Sequence, residues 1–444
     1  MKRVYLLIAI LIAVLLCGCN EPKERTSLSL HVCLERASGN DDLSAGQLER
    51  AFHLLHPEVA LTVTVIPSEL EDAEGRQALL QSIRTQVMSG QGPDVFLTDA
   101  QPVWNSDGSP GDCLFPDLQK AMRGGVFLDL APLLAQRADW PGAEIPAPLL
   151  AAGAVDGAQY LLPLSCSVST FLLAAETADS LPADAPILDI RRCEEWLPWA
   201  EGQGKMLNAT AMESYPNAYW NAMAAPMLDY EAAEPRLDNP LLGVLYSQLA
   251  AQAASKEDGS GAFSGGRAYG YAPDFSGQLT AAADMAAMGR ETRFLPLVSE
   301  EGGVNVMVES VACVRANTPH VREALDFLCM LFTPQFQGGG TFEAEDERCS
   351  VGPLQLYDLP VRTDSLESWL ANCSYFGNSG VQLALPDATV ASLAACLEQV
   401  TSARLPDVCG AEAWLAASRA VRQGQNPAEA LVALTDRWRL YMTE

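Results

Sequence analysis

The side chains best placed to do chemistry stand where apolar runs stop. Leu28-Ser29-Leu30-His31-Val32-Cys33-Leu34 reads as a strand, and Glu35 and Arg36 follow it. Val95-Phe96-Leu97 reads as a short buried strand, and Thr98 and Asp99 follow it. In open α/β sheets ligands sit beyond the carboxyl ends of the strands, which makes these four candidate ligand contacts. A carboxylate accepts two hydrogen bonds at once, and charge-assisted ones are the stronger kind, which suits a hydroxyl-rich solute. Asn217, Tyr219, Trp220 and Asn221 form a second group, polar and aromatic together. An aromatic plate can cover the apolar face of a sugar ring while neighbouring amides hold its hydroxyls. Each group also has a plainer reading, as solvated loop charges or as a buried helix face.

Catalysis has less support. The chain has no GxSxG elbow, HExxH, SxxK with its partners, P-loop or Rossmann glycine fingerprint, and no catalytic residue is assigned. His53-Leu54-Leu55-His56 has a spacing that could hold a metal, but no acidic partner is evident, and neither a metal nor a cofactor is expected. No pair of cysteines forms CxxC. Paired carboxylates of a glycoside hydrolase stay open, because 56 acids are available and their spacing is three-dimensional.

The elements that must position these residues are legible in outline. Ser44 can cap a helix carrying Leu48, Ala51, Phe52 and Leu55 on one stripe, stopped by Pro57. Val59, Leu61, Val63 and Val65 alternate as a strand, and Leu79, Leu80, Ile83 and Val87 mark a further helix. Strand, helix, strand, helix, strand is the rhythm of a parallel sheet with crossover helices. Downstream, Thr318 with Pro319 opens a helix carrying Val321, Leu325, Leu328 and Phe332. Asp387 can cap one with Val390, Leu393, Leu397 and Val400, and Asn426-Pro427-Ala428-Glu429 opens a last one. Asp94, after Gly92-Pro93, is expected to bond backbone amides rather than ligand.

Composition narrows the class. The 444 residues are 49% apolar and carry a formal charge of −28, which fits a folded chain and excludes a nucleic-acid binder that neutralises phosphates. At the start, Lys2 and Arg3 precede the apolar run Val4–Leu16, which suits a signal-peptide core better than a membrane span. Leu16-Cys17-Gly18-Cys19 then resembles the bacterial lipobox. That resemblance implies removal of residues 1–18 as a signal peptide, diacylglyceryl transfer to Cys19, a tether over 19–27, and a place on the extracytoplasmic face of the cell membrane. Among the remaining cysteines, Cys33, Cys313, Cys329 and Cys396 read as core residues, whereas Cys349, Cys373 and Cys409 are the better disulfide candidates.

Met88-Ser89-Gly90-Gln91-Gly92-Pro93-Asp94-Val95-Phe96 resembles the signature of the family 1 extracellular solute-binding proteins of ABC importers, the maltose-binding protein superfamily. Asp156–Pro163, Phe263–Ala268, Val308–Phe332 and Gln423–Leu434 are similar to its later segments, in the same order. The resemblance implies a type II two-lobed α/β fold, each lobe a mostly parallel sheet flanked by helices and joined by crossover hinges. One lobe would span 26–165 plus 297–315, and the other 166–296 plus 316–444. It also implies a monomer that binds a small polar solute, most readily a carbohydrate, and hands it to an ABC permease in the membrane. Ser165 and Ser167 then fall in the crossover. Asp274 and Phe275 fall in a ligand loop, and Trp369 in a region that can place an aromatic at the cleft. The Phe171–Ala175 segment departs from the family text. A receptor for polyamines or other cations, a secreted carbohydrate-active enzyme and an adhesive lipoprotein are the alternatives.

Overall fold

The computed structural model describes residues 28–35, 45–100, 111–203, 222, 227–237, 241, 263–266, 270, 275–344, 347–353, 358–372 and 385–443. It opens with β1 (Leu28–Glu35), α1 (Ala45–Leu55), β2 (Val59–Ile66), α2 (Glu69–Met88) and β3 (Val95–Asp99). Next come α3 (Leu118–Arg123), α4 (Ala147–Ala152), β4 (Leu161–Val168), β5 (Thr170–Ala174) and a short hairpin, β6 (Leu228–Asp229) and β7 (Glu234–Pro235). The later elements include α5 (Phe275–Ala287), β8 (Thr292–Pro296), β9 (Val304–Val314), α6 (Val321–Leu331), β10 (Leu359–Pro360) and α7 (Leu366–Asn372). The chain ends with α8 (Asp387–Leu397), β11 (Val400–Arg404), α9 (Val408–Arg422) and α10 (Pro427–Thr443).

A seven-stranded sheet in the order β10–β4–β9–β3–β1–β2 organises the described residues, with β11 also paired to β9. β1 is flanked in parallel by β2 and β3, as the strand–helix rhythm predicts. β9 runs antiparallel to both β3 and β4, because it arrives from the far side as a return crossover rather than through a βαβ unit. β5 and β8 leave this sheet and pair antiparallel with each other.

Apolar packing forms two clusters. The larger surrounds the seven-stranded sheet. The smaller joins β5 to the region around Trp196 and to Trp414 of α9. The unusual segment after Ser169 is the seam between them. Phe171 and Leu173 enter the smaller cluster, while Leu172 and Ala174, on the opposite face of the same strand, enter the larger.

Local chemistry sets several boundaries differently from the sequence reading. Helix α2 starts at Glu69, well before the apolar stripe, because Ser68 and Glu71 form a reciprocal capping box. α6 begins at Val321 with His320 at its cap position, and the Thr318 hydroxyl accepts the His320 amide at 3.1 Å while donating to Asp94. Leu48, Ala51 and Phe52 of α1 are buried as expected, but Leu55 in its last turn is exposed. Val400 opens β11 rather than continuing α8. Nine cysteines lie among the described residues, all buried and free. Cys349 and Cys409 are therefore core thiols here, and Cys373 lies outside the described residues.

Candidate functional site

The carboxyl end of β3 gathers polar side chains from four strands. Glu35 closes β1 and is buried. Its carboxylate accepts from Arg76 Nη2 of α2 at 2.7 Å, from the Thr98 hydroxyl at 2.7 Å, and from the Leu114 amide at 3.0 and 3.1 Å. Burial pushes the Glu35 carboxyl above the usual carboxylate range, against the pull of Arg76 and these donors. The hydroxyl of Thr98 and both oxygens of Glu35 are thus committed to each other and to the scaffold. Their position matches the strand-end expectation, and their hydrogen bonds make them the floor of the site.

Beside that floor the strands carry a second set of polar groups. Asp99, half-buried, ends β3 directly opposite Ser310 of β9. Ser165 on β4 shares a 2.7 Å hydrogen bond with Ser310, hydroxyl to hydroxyl. Ser167, two residues on, donates to the carboxylate of Glu309, which is half-buried in the middle of β9. Asp99, Ser165, Ser167, Glu309 and Ser310 therefore form one polar edge where β3, β4 and β9 meet. The three serine hydroxyls are buried and bonded within this edge, so its half-buried groups are the carboxylates of Asp99 and Glu309, acceptors that a polyhydroxylated solute can match.

Two candidates stand elsewhere. Phe275 starts α5 as a buried core ring, its centroid 6.1 Å from that of Phe294. Trp369 on α7 is fully buried in the larger apolar cluster. Arg36, Tyr219, Trp220 and Asp274, with Asn217, Asn221 and Cys19, lie outside the described residues. Glu309 was not singled out from the sequence. Its signal was available: a carboxylate in Val304-Asn305-Val306-Met307-Val308-Glu309-Ser310-Val311, a mostly apolar strand, is costly unless it is used. No group of three or more potential metal ligands occurs among the described residues.

The opposite end of β3 bears out the expectation for Asp94. Its carboxylate accepts the His31 amide at 3.0 Å, the Thr318 hydroxyl at 2.5 Å and Arg315 Nη2 at 3.2 Å.

No family model matches the chain, and no curated protein matches it in sequence. Its fold is nonetheless that of known binding proteins. It is similar to an extracellular solute-binding protein family 1 from Alicyclobacillus acidocaldarius subsp. acidocaldarius, with TM-score 0.60 and 12% identity over 94% of this chain and 99% of that one. It is also similar to the sugar-binding protein MalE from the phytopathogen Xanthomonas citri, with TM-score 0.63 and 14% identity over 94% and 97% of the two chains. The GacH receptor of Streptomyces glaucescens, solved unliganded and with acarbose, matches with TM-score 0.53 and 16% identity over 94% and 99%. The chain therefore has the two-lobed α/β architecture of these proteins, as its motifs led one to expect.

Proposed function

We propose that this chain is the solute-binding subunit of an ABC importer, capturing a carbohydrate between two lobes and performing no reaction on it. The observation that carries this reading is the extent of the fold match, which runs through 94% of the chain. The polar edge of Asp99, Ser167 and Glu309 supports it, because β4 and β9, which carry two of those residues, also lead to β5 and from β8. In this reading the crossovers are hinges. A solute touching both lobes favours the closed state, since only that state makes both sets of contacts.

In the same reading the chain is exported and held by lipid on Cys19 at the extracytoplasmic membrane face. Tethering raises its effective concentration near a permease without any new contact. No helix among the described residues is long and apolar enough to cross a membrane.

A thermal-shift panel of sugars, oligosaccharides, polyamines and amino acids tests the ligand class. A carbohydrate is expected to raise the melting temperature with concentration, as mass action requires, and to shrink the radius of gyration in solution scattering. A polyamine response with a silent carbohydrate panel replaces the ligand class, and product formation from an oligosaccharide replaces the receptor reading with an enzyme. Cys19→Ala is expected to move the expressed protein from the membrane fraction to the soluble one.

A further inference from the structure

Helix α3 meets two tyrosines from distant parts of the chain. Asp117, just before α3, caps it by accepting the Lys120 amide at 2.8 Å. The same carboxylate accepts the Tyr230 hydroxyl of the β6–β7 hairpin at 2.8 Å and the Tyr441 hydroxyl of α10 at 3.3 Å. Each ring also carries a cation from α3. Lys120 Nζ stands 4.1 Å from the centroid of Tyr441, and the Arg123 guanidinium stands 5.5 Å from that of Tyr230. Lys120 further donates to the Tyr441 carbonyl at 3.1 Å, in the last turn of α10, where carbonyls lack partners within the helix. Burial, reinforced by Asp117, pushes both phenols above their usual range, so both remain hydrogen-bond donors.

The two sides of this junction belong to different packing units. Leu118 and Met122 of α3 enter the larger apolar cluster, whereas Tyr230, Trp438 and Tyr441 pack with the smaller. On the smaller side the parts are tied to one another. Arg439 of α10 donates to Glu234 of β7 at 2.8 Å, and Trp438 Nε1 donates to Glu412 of α9 at 2.9 Å. The hairpin and α10 thus meet α3 as one body. Asp117, Lys120, Tyr230 and Tyr441 are all half-buried, so water can replace their contacts at modest net cost. The junction also adjoins the candidate site. Ala100, next to Asp99, lines the same crevice as Asp117, Tyr230 and Trp438, and its amide donates to the Glu309 carbonyl at 2.7 Å.

We propose that Asp117, Lys120 and Arg123 form with Tyr230 and Tyr441 a releasable clamp between the two packing units, and that the strength of this clamp sets part of the solute affinity. The inference rests on the reading above, in which binding moves one unit against the other. A contact made in one placement and lost in the other biases the balance between them, and linkage carries that bias into the affinity.

The test uses the full chain and leaves Asp117 in place, because it caps α3. Tyr230→Phe combined with Tyr441→Phe deletes both hydroxyls and keeps both rings, and Lys120→Met deletes the cation and keeps an apolar stem. Solution scattering with and without solute, affinity for the panel's carbohydrate and melting temperature are read. Both variants are expected to depart from the wild-type scattering profile and to shift the affinity, the double variant by at least about threefold. Affinity falls if the clamped placement is the solute-bound one and rises if it is the other. Unchanged affinity or unchanged profiles overturn the proposal, even where the melting temperature drops, since that drop alone marks plain packing. A wild type that binds nothing in the panel removes the solute reading instead, and the solute-free profile then decides the clamp by itself.

Discussion

The two ends of β3 carry the same device with different surroundings. At the amino end, Arg315 meets Asp94 at 3.2 Å, and at the carboxyl end Arg76 meets Glu35 at 2.7 Å, with all four side chains almost fully buried. Arg315 also donates to the carbonyls of Pro93 (3.0 Å) and Gly90 (2.8 Å), so that end is closed by the loop entering β3 and the segment leaving β9. The carboxyl end is closed below by Arg76, Thr98 and Leu114, but above it stand half-buried Asp99 and Glu309. A buried ion pair therefore says little about function by itself. It registers strands, and the chemistry belongs to the groups that the pair leaves over.

Removing one partner of either pair makes the largest change. Arg315→Ala and Arg76→Ala are each expected to cost about 3–5 kcal/mol in urea unfolding, because each strands a buried carboxylate. The folded fraction of Arg315→Ala is expected to bind the panel's carbohydrate as the wild type does, while Arg76→Ala weakens it. Equal binding losses at both ends would erase the contrast. Next comes Glu309→Gln, expected to weaken that binding about 10- to 100-fold, from a charge-assisted hydrogen bond of about 1.5–3 kcal/mol, with an almost unchanged melting temperature. A loss of stability without a loss of affinity would return Glu309 to the scaffold.

Cys33 and Cys313 flank Phe96 between the two ends, and burial pushes both thiols well above their usual range. With the folded values raised, both stay protonated and unreactive to a thiol reagent at pH 8 until the chain unfolds. Faster labelling in Arg76→Ala than in Arg315→Ala would show that the carboxyl end is the weaker closure. The smallest effect is expected at Ser169, between β4 and β5, whose buried hydroxyl has no hydrogen-bond partner among the described residues. Ser169→Ala is expected to change stability by less than about 0.5 kcal/mol in the same urea series.

The course from β1 to β3 was readable because alternation of period two survives in Val59–Val65, and because Leu48, Ala51 and Phe52 keep helical spacing. The polar first turns of α2 carry no apolar stripe, and only the Ser68–Glu71 box marks them. For the site, the strand-end rule led to Glu35, Thr98 and Asp99 but not to their use. Whether a carboxylate faces solute or scaffold depends on Arg76, 41 residues away, whose approach to Glu35 exists only once α2 has packed. Phe275 and Trp369 were drawn towards the cleft by their place in the resemblance, whereas their burial follows from the contacts of α5 and α7. Thr318 shows the same limit on a small scale, since its hydroxyl accepts the His320 amide near the helix start and also donates to a carboxylate distant in sequence, which the local pattern does not show.

The antiparallel neighbour of β3 has a bearing on how the molecule is made. β9 emerges from the ribosome roughly 200 residues after β3, and β11 later still, so the central sheet stays incomplete until most of the chain has been translated. Until then the nascent segments expose an unfilled strand edge, and the waiting chain depends on whatever shields that edge from other polypeptides.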